Sequence, residues 1–180
     1  MDAPTDSDLA NEIDQIGIAA RRAQHLVREL LTFARREPAV PEPIVLADAV
    51  EEVVLLLRAS MPPVVEVQLQ PPSERFTLLG DATHLHQSVM NVCRNAAEAR
   101  AGAPGKIEIT ISRAAQEDIA TDAPEASEGW LRLDVSDNGP GMSAQTLAHL
   151  FEPFFTTKPI GKGSGLGLAV VYGLVEDMGG

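Results

Sequence analysis

Apolar residues recur at alternating spacings of four and three along the N-terminal stretch, at Ile16, Ala20, Ala23, Val27, Leu30 and Ala34, with Leu26 and Phe33 widening the stripe. This period predicts a long amphipathic helix over residues 8–36 whose apolar face needs a helical partner. The run Glu37-Pro38-Ala39-Val40-Pro41-Glu42-Pro43 stops it, since proline lacks the helical N–H and pushes the residue before it out of the α region. A boundary is therefore expected here, with residues 1–40 a helical segment plus linker and residues 41–180 a separate α/β unit.

Within that unit the pattern predicts a helix over 47–60, a strand over 64–69, a short strand over 76–79 and a second helix over 81–101. Residues 106–113 and 130–136 alternate apolar and polar positions as half-buried antiparallel strands do, and the acidic loop 114–129 between them is expected to be mobile. An apolar run over 166–175 reads as a further helix. On the 81–101 helix, Leu85, Val89, Val92, Ala96 and Ala99 form the expected core stripe, and Gln87, Asn91 and Asn95 share an adjacent face. Helices on one side of a mixed sheet give a two-layer α/β (α+β) sandwich rather than a doubly wound sheet.

Charge narrows the partners. The 180 residues are 44% hydrophobic, enough for one core, and carry a formal net charge of -12, which disfavours nucleic acid or an anionic membrane as the main partner. Any polyphosphate ligand must meet locally supplied positive charge, and of the three lysines, Lys106, Lys158 and Lys162, two lie in the segment 151–175. The single Cys93 rules out an internal disulfide and a multi-cysteine zinc site, and it reads as a small buried residue in a reducing compartment. No run approaches the roughly 20 apolar residues of a membrane span, and the acidic start is unlike a signal peptide. The chain is expected to be cytoplasmic, with a membrane anchor left open for a longer parent.

Three motifs carry candidate chemistry. Gly161, Gly163, Gly165 and Gly167 allow positive φ and let backbone N–H groups approach an anion, just ahead of a helix start that favours phosphate. Asn91 and Asn95, one helical turn apart, offer neutral amide oxygens suited to Mg²⁺ beside phosphates. Asp137 ends a strand in the turn Asp137-Asn138-Gly139-Pro140-Gly141, where its carboxylate can accept from an exocyclic amine and so select adenine over guanine. Taken singly, these fit equally a flexible linker, two solvated amides and an ordinary β-turn.

In the order asparagine helix, Asp-x-Gly-x-Gly turn, aromatic-lysine segment and glycine-rich helix start, the chain resembles the ATP-binding catalytic domain of sensor histidine kinases. That domain belongs to the GHKL superfamily shared with DNA gyrase, the mismatch-repair ATPase and the heat-shock chaperone ATPase. The resemblance covers about residues 43–180 and implies the Bergerat-type fold with ATP and Mg²⁺ as cofactors. It implies Asn95 as the metal ligand with Asn91 beside it, and Asp137 on the adenine amine with Gly139 and Gly141 shaping the turn. It also implies a lid of Phe154, Phe155, Thr156, Thr157 and Lys158, and phosphate contact by Lys162, Gly163, Ser164, Gly165, Leu166 and Gly167. Asn95 and Lys158 are the implied catalytic residues.

Four further features refine this picture. Many family members carry a basic residue three positions after the metal asparagine, whereas this chain has Glu98, so Arg94, Lys158 or Lys162 must compensate. Hydrolysing members carry a glutamate one turn before that asparagine, where this chain has Asn91, so slow hydrolysis and a phosphoryl group kept for a nucleophilic histidine are implied. The segment IGIAARRAQHLVRELLTFARR resembles the second helix of the kinase dimerisation hairpin, and His25, followed by Leu26, reads as a packing histidine, like His84, His86 and His149. Members also continue past Gly179-Gly180 into further strands, so a fragment with an open sheet edge is expected. The implied function is a histidine kinase core that phosphorylates a histidine outside this chain. The implied partners are a phosphoacceptor helix and a response regulator, and the parent is implied to be a homodimer. A nucleotide-binding regulatory module and an ATPase are the alternatives.

Overall fold

A computed structural model describes residues 11–17, 20, 41–100, 102–119, 129–159 and 163–180. The expected long N-terminal helix falls within these only at 11–17 and 20, where the backbone is helical; the rest of it, His25 and most of the acidic loop lie outside the described residues.

The α/β unit opens with β1 (Glu42–Val45), α1 (Leu46–Ser60), β2 (Val65–Leu69), β3 (Thr77–Gly80) and α2 (Ala82–Ala99), and continues with β4 (Gly105–Arg113), β5 (Leu131–Asp137), α3 (Ala144–Ala148) and α4 (Gly167–Asp177). Residues 116–118 form a single 3₁₀ turn. The proline-rich stretch therefore ends in a strand that the pattern did not suggest. Pro43 is tolerated there because β1 pairs only with β3, antiparallel with Pro43 opposite Leu79, so one missing N–H breaks no second ladder.

The main sheet has the order β2-β4-β5 and is mixed. β2 runs parallel to β4, Val67 opposite Ile107, while β5 runs antiparallel to β4, Ile107 opposite Asp137 and Arg113 opposite Leu131. The alternation in these strands points Val65, Val67, Ile107, Ile109 and Ile111 toward one face, and α1 and α2 cover it with Val50, Val53, Val54, Leu57, Leu85, Val89, Cys93 and Ala96. This is the two-layer α/β arrangement expected. Arg58, in the last turn of α1, donates from Nε and NH2 to the Val67 carbonyl at 2.9 and 2.7 Å, closing part of the outer edge of β2.

The core stripe on α2 differs from expectation in detail. Leu85, Val89 and Ala96 are buried, but Val92 is only half-buried, and Ser88 and Cys93 take the remaining buried places. Ala99 is exposed because it faces the cavity described below. Burial pushes the Cys93 thiol up to about 12, in keeping with an inert packing residue. No helix among the described residues is long and apolar enough to cross a membrane.

Asp81 starts α2. Its Oδ1 accepts from the backbone N–H of Thr83 at 2.6 Å and of His84 at 3.3 Å, satisfying two donors the helix would leave orphaned. Burial works to raise the Asp81 carboxyl, but those two hydrogen bonds outweigh it and hold the group below its ordinary 3.8. A lowered native value means the cap's contribution is fully present above the unfolded value and is lost as pH falls through the native one. Asp81→Ala is therefore expected to cost about 1 kcal/mol in urea denaturation at pH 7. The gap from wild type should close below about pH 4, the ordinary range of an aspartate.

Candidate functional site

One cavity of about 820 Å³ lies beside α2, walled by that helix, the turn after β5, α3, the segment 155–158 and the glycine-rich start of α4. Each wall has a local cause. The amphipathic α2 buries its apolar side on the sheet, so its next face, with Asn91, Arg94, Asn95 and Glu98, is presented to the cavity. Against it lies the first turn of α4, where Asn91 Nδ2 donates to the Gly167 carbonyl at 3.4 Å. A Cβ on Gly167 would stand in van der Waals contact with the Asn95 amide, 3.4 Å from Nδ2, so the α4 start lies directly against that side chain.

The turn after β5 is tied down from behind. Asn138 exchanges backbone and side-chain hydrogen bonds with Lys106, at 3.3 Å from its own N–H and 2.9 Å to its Oδ1. Arg100, at the end of α2, donates to the carbonyls of Asn138 and Pro104. These contacts fix the wall Pro140, Gly141, Met142 and Ser143 relative to the asparagine helix. Ser143 then caps α3, its Oγ accepting from the Thr146 N–H at 3.1 Å.

Residues 155–159 and 163–164 flank the cavity as the two arms of a lid, pinched together at its base. Phe154 holds φ +68° and donates its N–H to the Gly165 carbonyl at 2.9 Å. Gly165 has φ +69°, and a Cβ there would lie 2.4 Å from the Phe154 carbonyl carbon, so this approach requires glycine. Inside the lid, Thr156 Oγ1 accepts from the Lys158 N–H at 3.1 Å. His149 flanks the Phe155 ring at 5.5 Å between centroids and pairs through Nδ1 with Glu152 at 2.8 Å, propping the lid from outside.

Charge in the cavity is concentrated at one point. Lys158 Nζ donates to the Glu98 carboxylate and, at 3.4 Å, to Asn95 Oδ1; Arg94 Nε stands 3.6 Å from the other oxygen of Glu98. The ammonium on Asn95 Oδ1 marks that oxygen as a position where a cation is attracted. Among the described residues no group of three or more His, Cys, Asp or Glu could hold a metal, so a cation here would rely on the amide oxygen and on the ligand's own oxygens.

Of the expected site residues, Asn91, Asn95, Gly141, Phe155, Thr156, Thr157, Lys158, Gly163, Ser164, Gly165 and Gly167 line this single cavity. Asp137 and Gly139 do not. Asp137 is exposed at the end of β5, and its Oδ1 accepts from the Gly139 N–H at 2.6 Å. Leu166 buries its side chain with Val170 and Leu174 beneath α4. Lys162 lies outside the described residues. None of the described histidines, His84, His86 and His149, lines the cavity. Met142, Ser143, Thr146, Leu150 and Leu168 also line it and were not foreseen. The five-residue α3 is too short to show a period, and its one sequence signal is the capping pair Ser143 and Thr146.

Comparison with known proteins agrees with this geometry. Residues 80–180 match the family described as histidine kinase-, DNA gyrase B- and HSP90-like ATPases. The chain is 35% identical over 165 residues to the sensor kinase CckA of Brucella abortus, covering 89% of this chain and 17% of that protein. It is also 35% identical over 173 residues to the two-component sensor PprA of Pseudomonas aeruginosa, covering 96% of this chain and 18% of that one. The chain thus spans less than a fifth of the length of these relatives. Among solved structures, the mycobacterial sensor histidine kinase MprB superposes with a TM-score of 0.62 at 26% identity, over 78% of this chain and 81% of that one. Histidine kinase ThkA, solved in complex with the response regulator protein TrrA, gives 0.62 at 25% identity over 87% of this chain and 42% of that one.

The pinch at the lid base has a direct test. Gly165→Ala adds a Cβ against the Phe154 backbone at positive φ, a strain of about 1–3 kcal/mol. Residues 155–159 are expected to exchange amide hydrogens at least about fivefold faster, while β4 is unchanged. Gly173→Ala, in the middle of α4 with nothing within 4 Å of its Cβ, should instead raise stability by roughly 0.5–1 kcal/mol.

Proposed function

Because this chain belongs to the family of histidine kinase-, DNA gyrase B- and HSP90-like ATPases, we propose that it is the catalytic domain of a two-component histidine kinase. In this reading it binds Mg-ATP in the cavity beside α2 and gives the γ-phosphoryl group to a histidine on a separate segment. The observation that carries the reading is the convergence of the asparagine pair, the lid lysine and the glycine-rich helix start on one cavity.

Each residue then has a task. Asn95 would hold Mg²⁺ through its amide oxygen, with Asn91 ordering the α4 turn beside it. When bound, Mg²⁺ supplies neutralisation of phosphate charge. Lys158 and Lys162 add local positive charge within an acidic chain. The N–H groups of Gly163, Ser164, Gly165 and Gly167 are suited to phosphate oxygens at the start of α4. Asp137, at the end of β5 and joined by Gly139 to the cavity wall at Pro140 and Gly141, is assigned the adenine amine. Met142, Leu150 and Leu168 give apolar surface for the base. Positioning and charge neutralisation, without a covalent protein intermediate in this domain, are what such transfer needs. The absence of a glutamate at position 91 favours a histidine acceptor over water.

For the whole protein the reading adds a phosphoacceptor helix and a homodimeric parent, and a response regulator as receiver of the phosphoryl group, the last supported by the solved complex of ThkA with the response regulator protein TrrA. Two measurements test it. A fluorescent ATP analogue with Mg²⁺ should bind wild type, with Asn95→Ala weaker by at least about tenfold and Asp137→Asn losing preference for adenine over guanine by about tenfold. With labelled ATP and a phosphoacceptor domain supplied in trans, wild type should label the acceptor histidine. Labelling no better than that of Asn95→Ala would overturn the kinase reading. Binding without transfer would indicate a regulatory module, and steady ADP release an ATPase.

A further inference from the structure

We propose that Glu98 sets the affinity of the cavity by latching the lid lysine onto α2, so that a polyphosphate with its divalent cation must displace that latch to enter. What displaces the latch rests on the nucleotide reading; the latch itself is a contact within this chain.

Glu98 and Lys158 are 60 residues apart in sequence, and their ion pair bridges the lid and the asparagine helix across the cavity mouth. The same ammonium reaches Asn95 Oδ1 at 3.4 Å, the oxygen a divalent cation would use. Lys158 thus fills two places at once: it neutralises the one carboxylate among the described cavity-lining side chains and sits where the cation belongs. Glu98 also draws Arg94, whose Nε is 3.6 Å from Oε1, so a single carboxylate engages both described lining cations, Arg94 and Lys158. A basic side chain at position 98 would do the reverse, attracting phosphates and repelling Lys158.

The latch is weak enough to open. The Lys158 side chain is 29% exposed and that of Glu98 42%, so solvent screens the pair. A triphosphate presents several negative charges to Lys158 against the single charge of Glu98, and a divalent cation competes for Asn95 Oδ1 with twice the charge of an ammonium. Opening leaves Glu98 facing the incoming phosphates, so the residue opposes binding both before and after release. Affinity is lower than the same cavity would have with a neutral side chain there.

The test compares wild type, Glu98→Gln, Lys158→Gln and the double variant of the full chain. In hydrogen exchange without added nucleotide, both single variants should speed the amides of residues 155–159 and 163–165 by about two- to fivefold, with β4 unchanged. The double variant should do no more than either single one, since both remove the same contact. Rising salt should bring wild type toward Glu98→Gln. Titration with Mg-ADP should show Glu98→Gln binding about two- to fivefold tighter than wild type. Lid exchange unchanged in Glu98→Gln, additive effects in the double variant, or weaker Mg-ADP binding by Glu98→Gln would each overturn the latch. Faster lid exchange in the variants of a protein that binds no Mg-ADP would support the latch and sink the nucleotide reading instead.

Discussion

The seating of α2 on the sheet and on α1, through Leu85, Val89, Cys93 and Ala96, fixes the direction in which Asn91, Asn95 and Glu98 emerge. At 3.6 residues per turn these three side chains lie roughly a third to a half of the circumference away from the buried set. One rigid helix therefore serves both as core and as cavity wall, and no loop conformation has to be selected to aim the amides. The remaining walls are anchored to the same helix. Arg100 ties the turn after β5 to its C-terminal end, α4 packs along its side, and Lys158 reaches it from the lid. Enlarging Cys93 or Ala96 would consequently disturb the cavity without touching any of its lining residues, because the helix would turn or lift as a unit.

Electrostatics set the second constraint. A chain of formal charge -12 repels phosphates at long range, so attraction must come from short-range donors: helix-start N–H groups and the cations at the cavity mouth. Those cations are not idle. Arg94 and Lys158 share Glu98, and Lys158 rests on Asn95. The cavity thus carries its own internal counter-charge, which a ligand must exceed. Competition between one carboxylate and a polyphosphate makes affinity depend on how many charges the ligand brings, a form of discrimination that a neutral lining would lack.

Legibility from sequence followed the length scale of each feature. Long amphipathic segments were readable: α1 begins one residue before its expected start, and β4 and β5 fall within a residue of theirs, because their periods are repeated several times. Strand β1 was hidden, since four residues containing Pro43 show no period and are held by long-range partners, the pairing with β3 and the burial of Ile44 in the core. The five-residue α3 was hidden for the same reason. Most lid and helix residues of the site were readable because glycine, asparagine and lysine each have few physical uses in such a pattern. The exceptions mark where spacing alone fails. Leu166 sits among cavity-lining glycines yet points its side chain inward, because the apolar stripe of α4 begins there. Asp137 lies on the correct turn yet outside the cavity wall, a placement set by where β5 ends against β4. The Lys158–Glu98 contact could not be read at all, since it joins two segments whose separation is fixed only by the packing of α4 on α2.

The lid's mechanics follow from its two attachments. At its base, the Phe154 N–H bonded to the Gly165 carbonyl holds both ends of the segment together, and Gly165 leads directly into α4, which is packed on α2. Away from the base, among the described residues the Lys158 ammonium is held by the screened pair with Glu98 and the long contact to Asn95. The base combines positive φ at two residues with a backbone approach that excludes any Cβ, so it stays closed while the tip contact breaks. Release of Lys158 is therefore a change at the lid arm 155–159, while Asn91 and Asn95 stay on a helix held by its own core contacts. A site built this way can admit a large ligand by breaking one weak ion pair, and the amides that would receive it remain in place throughout.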